Sequence, residues 1–129
     1  MTPKQLQHYL LQKPEAEEDY PFGPDAAVYK VLGKMFALTF YRGKQIHINL
    51  KCEPREALEL RDVFAAVTPG YHMNKRHWNT VVIDGSLPAG EIQRMVDNSY
   101  ALVVKKLKKA ERQGLEVRHG KARLYPGQD

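Results

Sequence analysis

The sequence predicts an α+β domain: a mostly antiparallel sheet with helices on one face, in the order α-β-β-β-α-β-α. Three observations predict it. Residues 26–51 break into three short apolar runs separated by the turn signals Gly33-Lys34 and Arg42-Gly43-Lys44, which is hairpin chemistry. Helix-period apolar stripes fall outside that block, so helices and hairpins are segregated and do not alternate. A length of 129 residues suits one domain with a single core.

Each element has its own signal. Thr2-Pro3-Lys4-Gln5 is a helix start, with Thr2 as N-cap, Pro3 at the first helical position and Gln5 placed for a capping box. Leu6, Tyr9 and Leu10 then share a face, which predicts a helix near 3–12 that Pro14 ends. Residues 14–25 hold three Pro, one Gly and five acids, and predict a loop. The strands are Val28–Leu32, Met35–Tyr41 and Ile46–Lys51. In the last of these, Ile46, Ile48 and Leu50 alternate with His47, Asn49 and Lys51, giving one apolar and one polar face. Glu53-Pro54 opens a second helix whose stripe is Leu60, Val63, Phe64 and Val67, with Thr68-Pro69-Gly70 as its stop. Thr80–Ile83 is a fourth strand. A long helix follows from about Pro88, with Ile92, Met95, Val96, Ser99, Leu102, Val103 and Leu107 in register and Gly114 as its expected end. The domain is thus expected to span 1–109. Residues 110–129 are expected to be a basic tail, either a late strand or without order.

Composition narrows the function classes. Lys and Arg number 20 against 15 Asp and Glu, a formal charge of +5. Residues 1–104 carry twelve of each sign, so the whole excess lies in the last 25 residues. Residues 26–52 hold Lys30, Lys34, Arg42, Lys44 and Lys51 and no acid, which gives a locally positive surface within a neutral core. One cysteine, Cys52, excludes an internal disulfide and suits a reducing cytoplasm. No apolar run approaches the ~20 residues of a membrane helix, and residues 1–7 lack the apolar stretch of a secretory leader. A cytoplasmic protein with no membrane partner is expected.

The segment Tyr71-His72-Met73-Asn74-Lys75-Arg76-His77-Trp78 is followed by Asp84-Gly85-Ser86-Leu87-Pro88 and by Asp97-Asn98-Ser99-Tyr100. With the early Lys13-Pro14-Glu15-Ala16, this ordered set resembles the MmcQ/YjbR family of small bacterial proteins over about residues 2–107. The resemblance implies a CyaY-like α+β fold. Members are described as DNA-binding proteins with a double-wing arrangement, so the resemblance also implies DNA as partner. From the residues themselves, no cofactor and no catalysis are expected.

The residue types agree with phosphate and base contact. Lys75 and Arg76 suit phosphates. His72, Asn74 and His77 can reach base edges, and Trp78 can stack. The hairpin tips Lys34 and Arg42/Lys44 would act as wings. Other chemistries fit less well. His47, His72 and His77 match no standard zinc spacing, so no metal is expected. Cys52 and His47 lie five apart on or beside one strand and point to opposite faces, and Ser86 lacks a nucleophile-elbow context. The alternative reading is a protein- or small-ligand-binding module, homodimeric through the acidic 15–25 loop of one copy against the basic face of another.

Overall fold

The first helix starts as its sequence dictates. Thr2 Oγ1 accepts the Gln5 N–H at 3.1 Å and Gln5 Oε1 accepts the Thr2 N–H at 2.9 Å, closing the capping box of α1 (Pro3–Leu11). Leu6 and Leu10 are fully buried. The computed structural model describes residues 1–128. Its strands are β1 (Ala16–Asp19), β2 (Ala26–Val31), β3 (Lys34–Arg42), β4 (Gln45–Lys51), β5 (Val67–Pro69) and β6 (Trp78–Val82). They form one antiparallel sheet in the order β1-β2-β3-β4-β6-β5. The other helices are α2 (Pro54–Val63), α3 (Ala89–Lys105), α4 (Lys109–His119) and α5 (Lys121–Leu124). The predicted class and order are present, with β1, β5, α4 and α5 added.

β1 lies inside the segment expected to be a loop. Ala-Glu-Glu-Asp has little strand propensity, but its partners are distant in sequence. Glu18 accepts hydrogen bonds from Gln7 Nε2, Tyr20 Oη and Tyr29 Oη, and Lys30 pairs with Asp19 across the strands at 3.3 Å. α2 ends at Val63, four residues before the expected stripe does. Phe64 is already extended, Val63 is exposed, and Val67 is the first residue of β5.

The tail expectation is corrected. Residues 109–119 and 121–124 are helical, and Leu115, Leu124 and Tyr125 complete the core. Asp129 lies outside the described residues. The long helix ends at Lys105 instead of running to Gly114, which lies within α4. A helix interior tolerates one glycine at a cost of about 1 kcal/mol, and the left-handed Gly120 (φ 84°) ends α4. The new helices are fastened to the start of β1, where Arg118 Nε and His119 Nε2 each lie 2.7 Å from Glu15 Oε2.

The core fills one side of the sheet. Ile48 and Leu50 of β4, Ala37 of β3 and Val81 of β6 meet Ile92, Met95, Val96 and Tyr100 of α3. A bulge interrupts β2–β3 between Tyr29 and Lys30, opposite Phe36, and Phe36 packs edge-on to Tyr100 with ring centres 5.2 Å apart. Ser99 repairs the backbone beside it: its hydroxyl donates to Phe36 O at 2.6 Å and accepts the Lys51 N–H at 2.8 Å. Asp97, two residues earlier, binds Lys13 Nζ in an ion pair and accepts from Tyr9 Oη at 2.6 Å. Tyr100 Oη donates to Pro14 O at 2.7 Å. The Asp-x-Ser-Tyr and Lys-Pro-x-Ala motifs therefore meet, and both are structural.

Candidate functional site

Register decides what reaches the other side of the sheet. Paired residues share a face. Ile46, Ile48 and Leu50 are buried, so His47, Asn49 and Lys51 leave the opposite face, joined there by Phe40 and Arg42 of β3 and by Trp78 and Thr80 of β6. Among the described residues no helix covers this open face.

The loop between β5 and β6 turns back over it. Gly70 makes the turn possible: its N–H donates to Trp78 O at 2.9 Å, and a Cβ there would lie 2.8 Å from both Trp78 Cβ and Trp78 O. The next residue is held by two buried polar side chains. Thr80 Oγ1 accepts the Tyr71 N–H at 2.8 Å, Asn49 Nδ2 donates to Tyr71 O at 3.0 Å, and Thr80 Oγ1 donates to Asn49 Oδ1 at 2.5 Å. The Tyr71 ring thus lands beside Phe40, with centres 5.5 Å apart and planes 28° apart. Phe40 stacks in turn on His47, at 5.5 Å and 23°. The Arg42 guanidinium sits 4.5 Å from the Tyr71 ring centre, and the His72 ring 4.0 Å from it on the other flank. His72 takes a left-handed backbone, φ 58°, to reach that position.

Residues 74–77 form a pinned turn. Asn74 Oδ1 accepts the Arg76 N–H at 3.0 Å, and Asn74 O accepts the His77 N–H at 3.2 Å. Arg61 of α2 donates through Nη2 to Lys75 O and through Nε to Asn79 Oδ1, the latter at 2.7 Å. Lys75 Nζ donates to Gly70 O at 3.2 Å, and His77 O accepts the Cys52 N–H at 2.8 Å. Asn74, Lys75 and Arg76 are exposed, and His77 and Trp78 half-buried. Lys51 faces Trp78 across the strands, and its amine is lowered from the usual lysine range by burial and then by Lys106. Tyr71 and His72 therefore share one surface with Arg42, with Lys44 in the adjoining turn, while Trp78 and the 74–77 turn lie at the Lys51 end of β4, about 20 Å along the strand from Gln45.

Lys34 does not join them. It pairs with Val31, whose side chain is in the core, so it leaves the sheet on the helix-covered side. It also starts β3, about 26 Å along the strand from Arg42. The two basic hairpin tips are at opposite ends of β3 and do not flank the loop as a pair. Sequence reasoning missed Phe40, Tyr71 and Lys51. Phe40 and Arg42 were readable as strand neighbours two apart, but Tyr71 reaches them only through the backfolded loop.

The other candidate chemistries are placed as follows. The Cys52 thiol is pushed up to about 11 by burial and then by Glu56 and Glu53, and it lies beneath the sheet end while His47 lies on the open face. Among the described residues no three His, Cys, Asp or Glu side chains are grouped to hold a metal. Ser86 Oγ donates to Asp84 Oδ1 at 2.6 Å.

Fold and surface define a class: a small α+β domain with helices on one side of a six-stranded sheet and a ring-and-cation surface on the other. Comparisons sharpen it. The YjbR family model matches residues 11–102. The YjbR protein of Escherichia coli K12 is 37% identical over 112 residues, covering 87% of this chain and 95% of that one. YbdF of Escherichia coli O157:H7 is 36% identical over 110 residues, 85% and 88% of the two chains. The crystal structure of Deinococcus radiodurans protein DR2400, a DUF419 domain, superposes with a TM-score of 0.80 at 38% identity over 88% of this chain and 87% of that one. A Pseudomonas syringae protein gives 0.72 at 32% identity, covering 80% and 99%. The chain belongs to the YjbR family. No helix among the described residues is long and apolar enough to cross a membrane.

Proposed function

We propose that this protein binds DNA without catalysing a reaction, through the open face of its sheet. Arg42, Lys44, His72, Lys75, Arg76, His77 and Trp78 make the contacts, and Asn74 holds the loop that presents them. One observation carries the reading: the backfolded loop and the β3–β4 hairpin, thirty residues apart in sequence, meet at Tyr71 and Arg42 as a single aromatic and cationic surface. Acids lie at its margins. Glu17 and Asp19 are on β1, at the sheet's far edge, Asp84 lies within coulombic reach of His47, and Glu53 within that of His77. The cations Arg42, Lys44, Lys75 and Arg76 attract phosphates, and rings beside them attract bases.

The test is fluorescence anisotropy of labelled DNA across a salt series. The proteins are the full chain, Lys75→Ala/Arg76→Ala, and Lys108→Gln/Lys109→Gln. The last tests the C-terminal cations while keeping core residues Leu115 and Leu124 in place. The reading expects affinity to fall steeply with salt, and the loop variant to lose affinity and flatten the log–log slope by about one per phosphate contact removed. Dependence on the tail lysines alone would overturn it.

A second reading, a small-ligand module, has one observation in its favour. A cleft of about 350 Å³ lies between α1 and β2–β4, lined by Lys4, Gln7, Tyr20, Tyr29, Thr39 and Tyr41. Binding there would not respond to Lys75→Ala/Arg76→Ala.

A further inference from the structure

We propose that the cleft between α1 and β2–β4 binds a small molecule by its quaternary ammonium group, held against tyrosine rings in front of an ionised carboxylate. The inference rests on the small-ligand reading of that cleft and adds the ligand's class. It is independent of the open face on the other side of the sheet. Register puts the side chains concerned on the helix side: Glu18 pairs with Tyr29, Tyr29 with Ala37, and Tyr41 with buried Ile46. Sheet order sets the strand of Tyr29 between β1, which Tyr20 follows, and β3, which carries Tyr41. All three tyrosines line the cleft, whose volume of about 350 Å³ is in the small-ligand range.

The rings are unoccupied. Tyr29 is buried, but Tyr20 and Tyr41 are 46% and 54% exposed. Among the described residues none of the three stacks on another ring or lies under a cation, so Tyr20 and Tyr41 keep faces free for a ligand's cation. The charge agrees. Glu18 stands behind the lining and accepts from Tyr29 Oη at 2.7 Å and from Gln7 Nε2 and Tyr20 Oη at 2.8 Å. Burial pushes its carboxyl up, but the three hydrogen bonds together outweigh burial and hold it below its ordinary value, so it is ionised at neutral pH. All three donors are neutral. Among the described residues no cation pairs with Glu18, nor with Asp25 in the lining, and the lining sets only Lys4 of α1 against these two acids. Three of about four acceptor positions on Glu18 are taken, so it offers charge and little further hydrogen bonding. An ammonium with N–H groups would leave its water bonds uncompensated there, whereas a quaternary one has none to lose.

The test is an NMR titration of the full chain with choline, with its neutral carbon isostere 3,3-dimethylbutanol, and with a short peptide carrying trimethyllysine. Choline should bind about tenfold more tightly than the isostere and shift the resonances of Tyr20, Tyr29 and Tyr41. Tyr41→Leu should lose about fivefold for choline, and Tyr41→Phe, which keeps the ring, should bind as the native protein does. Lys4→Gln should tighten choline and leave the isostere unchanged. Equal affinity for choline and the isostere overturns the cation without recourse to any variant, and weaker choline binding by Lys4→Gln overturns it too. Each of these leaves the small-ligand reading standing. An unchanged Tyr41→Leu protein, or choline shifts confined to the open face, overturns the ring contact. A peptide that binds more tightly than choline overturns the assignment to a small molecule. Failure of choline and the isostere alike to bind at millimolar concentration overturns the inference and the small-ligand reading together.

Discussion

Tyr9, Lys13, Asp97 and Tyr100 on the helix side of the sheet, and Phe40, Arg42, Tyr71 and His72 on the open side, are built from similar parts. Each places a cation over aromatic rings: Lys13 Nζ lies 5.2 Å and 5.8 Å from the Tyr9 and Tyr100 ring centres, and the Arg42 guanidinium lies 4.5 Å from that of Tyr71. The difference is one carboxylate. Asp97 neutralises Lys13 and also accepts from Tyr9, whose hydroxyl is pushed up by burial and by that bond. The inner group is closed on itself. The outer one has rings and positive charge with no acid among them, so its attraction is directed outward. A distinctive motif is therefore not by that fact a site. The paired acid separates the two uses.

Removing that acid is the strongest way to break the comparison. Asp97→Ala leaves Lys13, whose side chain is 9% exposed, charged and unpaired, and should cost about 3–5 kcal/mol in urea denaturation. A cost below about 1 kcal/mol would make the inner group no more closed than the outer. Ser99→Ala strands the Phe36 carbonyl and the Lys51 N–H, and about 1–3 kcal/mol of destabilisation is expected by the same method. Gly70→Ala should cost a similar ~1–3 kcal/mol, because the new methyl meets the Trp78 backbone, and it should also shift Trp78 emission as the loop lifts. On the outer face, Tyr71→Ala should cost about 1 kcal/mol or less in stability while lowering DNA affinity. A large stability loss there would make Tyr71 a scaffold residue.

The smallest effect concerns pH. Arg118 and then His119 hold the Glu15 carboxyl below its ordinary value of 4.5. A depressed folded value means stability that is present above the unfolded value and lost as pH falls through the folded one. The hydrogen-exchange protection factor of Leu115 in α4, corrected for the intrinsic pH dependence of exchange, should therefore fall as the solution is acidified below the ordinary carboxylate range. Glu15→Gln should abolish that dependence, and an unchanged profile would show that α4 is held by packing alone.

These contrasts also explain what was legible. Elements whose signals are local, such as the Thr2–Gln5 capping box, the β2–β3–β4 turns and the α3 stripe, could be read directly. β1 could not, because Glu18 finds its partners at Gln7 and Tyr29, eleven residues away on either side. β5 is three residues long, and α4 was hidden by an interior glycine. For the site, residue type singled out the loop from His72 to Trp78, but its conformation depends on Arg61 and Gly70. The ring row depends on the β3–β4 cross-strand register and on the backfolded loop that carries Tyr71 to it. Lys34 was misplaced for the same reason: its face follows from pairing with Val31.

The fastening of Glu15 by Arg118 has a consequence for synthesis. Lys13 meets Asp97 across 84 positions, and Glu15 meets Arg118 across 103. A ribosome delivers Lys13 and Glu15 early and their partners Asp97 and Arg118 late. Contacts of such long span close late and slowly. The nascent chain therefore holds Lys13 without its carboxylate until α3 emerges, and Glu15 without its guanidinium until α4 does.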